Sequence, residues 1–208
     1  RGAVWFDLQV FGRAAHSGNI TGRVSALDKA ILAMGTLRNY HDRLLAESRG
    51  IALFDEYADP MPLTFGQLSS GNWPASVPSK AEIKGVLGFL PNRHRHEIQK
   101  EMREALYAQS DEWLREHFEL TFPMLNSDGN MIPVNHPLVT SLREAIRQNG
   151  VPDRVRAMTA SCDAWLYNNQ AKIPTVVFGP GSLSHAHSKE EQIKVDDILT
   201  AASILADW

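Results

Sequence analysis

Cysteine is nearly missing from this chain: Cys162 stands alone among 208 residues. A single thiol excludes an intrachain disulfide and any cysteine-rich zinc motif, and it fits a reducing compartment, so a cytoplasmic location is expected. A surplus of one charge is missing too. The 21 Lys and Arg against 24 Asp and Glu give a formal charge of −3, with both signs mixed along the sequence. No basic stripe is present for nucleic acid or an anionic bilayer, so neither is an expected partner. No apolar run approaches the ~20 residues of a membrane span, and no secretory signal is present. The turn Gly179-Pro-Gly-Ser182 lacks the lysine and glycine spacing of a phosphate loop, which argues against a nucleotide-binding protein. Residue 1 is Arg rather than Met and a strand-like pattern follows at once, so the natural amino terminus is expected to lie upstream.

What is present has a readable order. Ala3 to Phe11 is rich in β-formers and reads as a strand ended by Gly12. From about Arg23 to Ala46, Leu27, Ile31, Met34, Leu37 and Leu45 recur at helical spacing and predict a long amphipathic helix. Apolar runs at Pro62 to Leu68 and Ala81 to Leu90 flank a Gly- and Pro-containing connection and read as two strands. Arg95 to His117, with Ile98, Met102, Leu106 and Trp113 on one side, predicts a second helix, and Phe118 to Met124 a last strand. The order βαββαβ is the split ferredoxin-like arrangement.

After the turn cluster Asn126-Ser-Asp-Gly129 the grammar changes. A helix from about Pro137 to Asn149, a short strand over 154–158, a helix from near Ser161, a strand over 173–178 and a helix from about Val195 are expected. This reads as a partial doubly wound α/β segment, because about 80 residues supply too few strands for a typical sheet. The expected fold class is thus α/β: a ferredoxin-like domain followed by part of a doubly wound sheet.

Two clusters carry residues fit for chemistry. The run Ile173 to Phe178, then Gly179-Pro-Gly-Ser182 and His185-Ala-His187, delivers imidazoles to a loop at the carboxyl end of a strand. Open α/β sheets place their ligands there, and imidazole is the commonest transition-metal ligand. Gly12-Arg-Ala-Ala-His16-Ser-Gly18 surrounds a single His with small residues, which lets backbone or ligand approach closely and lets an imidazole N–H reach an anionic oxygen. A turn with an incidental His is the plainer reading of the same residues.

Gly12-Arg-Ala-Ala-His-Ser-Gly18, then Ser70-Gly-Asn-Trp-Pro-Ala-Ser-Val-Pro78, then Phe178-Gly-Pro-Gly-Ser-Leu-Ser-His-Ala-His-Ser-Lys-Glu-Glu191 follow one another in a known order and spacing. Over essentially its whole length the chain resembles the zinc-dependent amidohydrolases that include acetylornithine deacetylase, succinyl-diaminopimelate desuccinylase, aminoacylase and carboxypeptidase G. The resemblance implies that residues 1–125 are a lid that also dimerises, and that residues 126–208 are the carboxyl-terminal segment of a metallohydrolase catalytic domain whose amino-terminal segment is absent. It implies two zinc ions per full-length chain, with cobalt or manganese as alternatives, and a small N-acyl amino acid or peptide-like substrate. His187 matches a metal ligand. His185 matches none and reads as a loop residue or a partner to one. His16 matches the lid His that stabilises the oxyanion in the active site of the partner subunit of a homodimer. Asp163 sits where the family keeps an acid near the cleft, to position substrate or orient a ligand, or else only as a helix-start acid. Gly179, Gly181 and Ser182 either offer amides to a substrate carboxylate or simply make the bend.

The chain also departs from the family. Ala75 stands where many members have Asn, Gly88 where Arg is frequent, and Trp165 where Asp-Ala-Arg is common. These changes point away from any one family substrate. The family's other metal ligands and its general-base Glu belong to a segment before the lid and are not in this sequence. Glu190-Glu191 follow the ligand His and read as a solvated helix start. The isolated chain is therefore expected to be inactive as a hydrolase. The competing class is a non-catalytic dimerisation or binding module that pairs through its first helix and an edge strand.

Overall fold

The computed structural model describes residues 1–19 and 21–208, and of His185 the backbone only. The chain divides into two compact units, residues 1–129 with 159–162 and residues 130–158 with 163–208.

In the first unit, Gly2–Phe11 (β1) buries Val4, Phe6, Leu8 and Val10 and turns Trp5, Asp7 and Gln9 outward, the period-two pattern of a strand with one face on a core. Between β1 and Leu63–Ser70 (β3) lie the two-residue strand Ala15–His16 (β2) and the helix Ala26–Glu47 (α1). Ser76–Val77 (β4), Lys80–Phe89 (β5), Arg95–Ala108 (α2), Glu112–Glu116 (α3) and Phe118–Thr121 (β6) follow. The main sheet is antiparallel throughout, in the order β3-β5-β1-β6, with β1 central. This is the ferredoxin-like order expected from βαββαβ. Opposite Phe6 on β5 stands Gly85, so the large ring has space between strands.

α1 meets the expectation only in part. Its buried face is Ala26, Ala30, Ala33, Leu37, Tyr40 and Leu44, while Ile31 is 56 % exposed and Leu32 is exposed. Alanines fill the first half of the stripe, so the small residues of this helix, rather than Ile31 and Leu32, face the core there. Ser25 caps the helix, its Oγ accepting from Asp28 N–H at 3.2 Å.

The second expected helix is two. It breaks over Gln109–Asp111, where Asp111 starts α3 by accepting from Leu114 N–H at 2.8 Å and pairs with Lys29 Nζ of α1. An aspartate that both caps a turn and ties it to another helix ends the first helix more effectively than propensity can extend it. Burial alone would raise the Asp111 pKa, but the Lys29 ammonium and the Leu114 amide outweigh it and hold the carboxyl below its usual value. A carboxylate depressed in the folded state contributes stability that is fully present above its unfolded pKa of about 3.9 and is lost as pH falls through the folded value. Asp111→Asn, which keeps a cap and removes the charge, should lower the urea midpoint at pH 7 and approach wild type at pH 3. Asp111→Ala should cost about 1 kcal/mol at both pH values through the cap.

In the second unit, Pro137–Gln148 (α4) and Val195–Asp207 (α5) enclose a small core of Leu142, Ala145 and Ile204, joined by Ile146, Val151, Val176 and Phe178. Pro137 sits at the first turn, where its missing N–H costs nothing, and the His136 ring accepts from Leu138 N–H at 3.1 Å. The strands expected over 154–158 and 173–178 are not formed as strands among the described residues. Thr175 within 173–178 is nonetheless paired through both backbone groups. The Asn168 side chain accepts from Thr175 N–H and donates to Thr175 O, both at 3.0 Å, as a neighbouring strand would. The helix expected near Ser161 is a π-helical turn, Leu166–Ala171, ended by Lys172 in the left-handed region at φ 57°. No helix among the described residues is long and apolar enough to cross a membrane.

Candidate functional site

His16 stands on a small platform built from two of the sequence clusters. Gly12 closes β1 so tightly that a Cβ there would collide with the Val24 carbonyl oxygen and come 2.7 Å from Ala26 N. Only glycine lets the chain pass there. Its N–H donates to Ser79 O at 2.8 Å, and Arg13 pairs with Val24 through both backbone groups. Ala15 and His16 then run antiparallel to Ser76 and Val77, with Ser17 N–H donating to Ala75 O at 2.9 Å. The Gly12–Gly18 and Ser70–Pro78 motifs are thereby laid side by side, with Trp73 67 % exposed beyond them.

The His16 ring is exposed, and its Nδ1 accepts from Gly18 N–H at 3.1 Å. An imidazole nitrogen that accepts carries no proton, so the neutral ring bears its hydrogen on Nε2, which is left as a donor. Arg23 donates to Ser17 O at 2.9 Å and closes the turn behind the ring. A ring N–H presented in this way is chemically able to donate to an anionic oxygen.

The other candidates lie in the second unit. His187 follows the 3₁₀ turn Leu183–His185 and adopts φ 61°, a left-handed conformation that a non-glycine side chain rarely takes. Its N–H donates to a Glu191 carboxylate oxygen at 3.0 Å. Glu191, expected to be a solvated helix-start acid, therefore holds the backbone of the candidate ligand. The two are four residues apart, and spacing alone did not reveal it. Ser182 Oγ accepts from Ser184 N–H at 3.2 Å, and Gly181 sits at φ 90°, so both are tied to the bend. Gly179 has a negative φ and open space about it, so neither steric need explains it. Asp163 is exposed at the start of the π-helical turn, its carbonyl accepting from Leu166 N–H at 2.9 Å. The expectation for His185 concerns a side chain outside the described residues. Gly88 leaves room over which the Arg1 guanidinium lies.

Among the described residues no group of three or more His, Cys, Asp or Glu is gathered tightly enough to hold a metal ion. A catalytic zinc takes three protein ligands and a structural one four, so His187 by itself does not fit the ion.

Residues 1–114 match the family model of the peptidase dimerisation domain, M20_dimer. The chain belongs to this family. The peptidase dimerisation domain accounts for the whole βαββ part of the first unit and for α2. Over 211 residues the chain is 24 % identical to an N-formyl-4-amino-5-aminomethyl-2-methylpyrimidine deformylase of Bacillus subtilis, covering 93 % of this chain and 47 % of that protein. It is 26 % identical over 207 residues to an acetylornithine deacetylase of Aliivibrio salmonicida, covering 99 % and 52 %. The chain thus spans about half the length of the curated relatives it matches. Its fold is shared with an M20 family metallo-carboxypeptidase from Sulfolobus solfataricus, at a TM-score of 0.72 and 14 % identity over 99 % of this chain and 57 % of the other. The family resemblance drawn from the three motifs therefore holds.

Proposed function

We propose that this chain is the lid and carboxyl-terminal part of a cytoplasmic dinuclear-zinc amide hydrolase that removes the acyl group from an N-acyl amino acid or a related amide. Residues 1–125 are the lid in this reading, and 126–208 the segment that returns to the catalytic domain. The observation that carries it is the His16 platform: an exposed imidazole whose Nδ1 accepts from Gly18 N–H, on a hydrogen-bonded ladder. When an amide carbonyl is attacked, its oxygen gains a full negative charge, and a donor already aimed at that position stabilises the transition state without reorganising. Membership of the peptidase dimerisation domain family supports the reading. So do relatives named as a deformylase and a deacetylase.

His187 is one metal ligand in this proposal, and the remaining ligands and the general base come from polypeptide outside this sequence. Asp163 and the Gly179, Gly181 and Ser182 bend serve the substrate or the ligand geometry. The homodimer forms along β3. Its sequence Leu-Thr-Phe-Gly-Gln-Leu-Ser-Ser has no charge and no proline, Leu68 is exposed, and the strand is an edge of the sheet. An uncharged edge of that length is a ready template for a second copy, whereas the other edge, β6, has four residues and carries Glu119.

The same edge favours a second reading, a dimerisation module with no catalysis. Zinc separates the two. In the hydrolase reading the 208-residue chain alone neither retains stoichiometric zinc nor deacylates N-acetyl amino acids, and a chain extended to the length of the relatives binds about two zinc ions and is inactivated by chelator. Chelator-sensitive activity from the 208 residues alone, or an extended chain indifferent to zinc, would overturn it.

A further inference from the structure

Three aromatic and cationic side chains at the end of β1, which leads to the His16 turn, are unused by the hydrolase reading. Trp113 and His117 of the α3 turn stack face to face, centroids 3.8 Å apart and planes within 8°. The Arg13 guanidinium lies 5.0 Å from the Trp113 ring centre. We propose that Arg13, Trp113 and His117 form a clamp that positions His16 and sets the direction of its Nε2–H. The inference rests on the reading of His16 as the lid donor.

Each member is itself fixed. His117 Nδ1 is 2.8 Å from Trp113 O, and because a carbonyl only accepts, Nδ1 carries the proton and the ring cannot turn. Trp113 Nε1–H donates to Phe11 O, and Phe11 N–H donates to His117 O, both at 2.9 Å. The last residue of β1 is thus gripped through both backbone groups by the α3 turn. Two residues later Arg13 lays its guanidinium on the indole and donates to Gly22 O at 3.4 Å, across the base of the turn, while its backbone pairs with Val24. The path from this anchor to His16 is only three residues long. The turn it supports is solvent-exposed, so without the anchor it belongs to the part of a fold that opens locally before the core does. A ring held by one bond to Gly18 N–H keeps its tautomer only while that turn is closed.

The test needs no activity, so it can fail while the hydrolase reading stands, and the reverse. The 208-residue chain, labelled with ¹⁵N, is compared with Arg13→Ala, Arg13→Lys, Trp113→Phe and Trp113→Leu. Amide exchange is followed at Ser17 and Val24 in the turn and at Leu8 and Ile83 in the sheet, with the ¹⁵N shifts of the His16 ring. Arg13→Ala, a substitution on the surface, should speed Ser17 and Val24 about fivefold relative to Leu8 and Ile83, and Trp113→Leu should speed them about tenfold. In both, the His16 ring should move towards averaged tautomers. Trp113→Phe, which keeps a face for the guanidinium, and Arg13→Lys, which keeps the charge without the plane, should fall between. Unchanged turn amides, acceleration of all four amides in step, or a His16 tautomer indifferent to Arg13→Ala would each overturn the proposal.

Discussion

Replacing Phe6 with alanine is expected to lower the unfolding free energy by about 3–5 kcal/mol. Phe6 is 1 % exposed on the central strand, and its ring meets Phe65 edge-on at 6.1 Å. The substitution leaves a cavity between sheet and helices that neighbours on β1 and β5, themselves buried and paired, cannot collapse to fill. Gly85 faces the ring across the ladder, and a Cβ there would stand 2.5 Å from Phe6 Cζ and 2.5 Å from Thr64 O. Gly85→Ala should therefore cost roughly 1–3 kcal/mol by overpacking. The two changes are coupled, because removing the ring removes one of the two collisions. The double variant should be more stable than the sum of the single losses by roughly 0.5–3 kcal/mol, and not fully rescued, since the Thr64 carbonyl remains. Urea unfolding of the four proteins measures this. Strict additivity would mean that the ring does not decide what stands at position 85.

The Phe6 and Gly85 pairing also marks what a sequence can reveal. The alternation of β1 and the Ile98, Met102 and Leu106 spacing of α2 were legible because one face of each element is buried and large residues record it. On α1 the same reasoning finds Leu37 and the half-buried Leu27, Met34 and Leu45 but misses the alanines of the buried face, since Ala26, Ala30 and Ala33 are too small to weigh in a hydrophobic pattern. The apolar period of Ile98, Met102, Leu106 and Trp113 runs straight across Asp111, so it carries no trace of the break there. The expectation of strands over 154–158 and 173–178 rests on local sequence alone. A strand is a property of a pair, and within this chain Thr175 finds its partner in the Asn168 side chain.

For the site, the residue types were legible and their arrangement was not. Two motifs 52 positions apart gave no hint that His16 would pair with Ser76, since a ladder between short strands leaves no periodic trace. The tautomer of His16 depends on one backbone amide at Gly18, and the backbone of His187 on one carboxylate at Glu191. Trp113 falls on the apolar side of the expected helix, where nothing distinguishes a core indole from one that carries a guanidinium on its face.

Under the proposed hydrolase reading, His16→Ala in the full-length protein is expected to lower kcat about 10²–10³-fold with little change in KM, since in that reading the donor meets charge that exists only in the transition state. His187→Ala should abolish activity by costing a metal ligand. If His16 serves the partner subunit, the two dead proteins complement each other. In a mixed dimer the His187→Ala subunit lends an intact His16 to the intact metal site of the His16→Ala subunit. Random mixing makes half the dimers mixed, each with one restored site of two, so co-refolded protein should recover about a quarter of wild-type activity in a closed two-fold dimer. A His16 acting within its own subunit gives no recovery, because each subunit of the mixed dimer would still lack one of its two groups. Recovery that rises and falls with the mixing ratio, greatest at equal amounts, is the result that assigns the imidazole to its neighbour. A flat null across all ratios, with dimers present, removes His16 from the partner's chemistry.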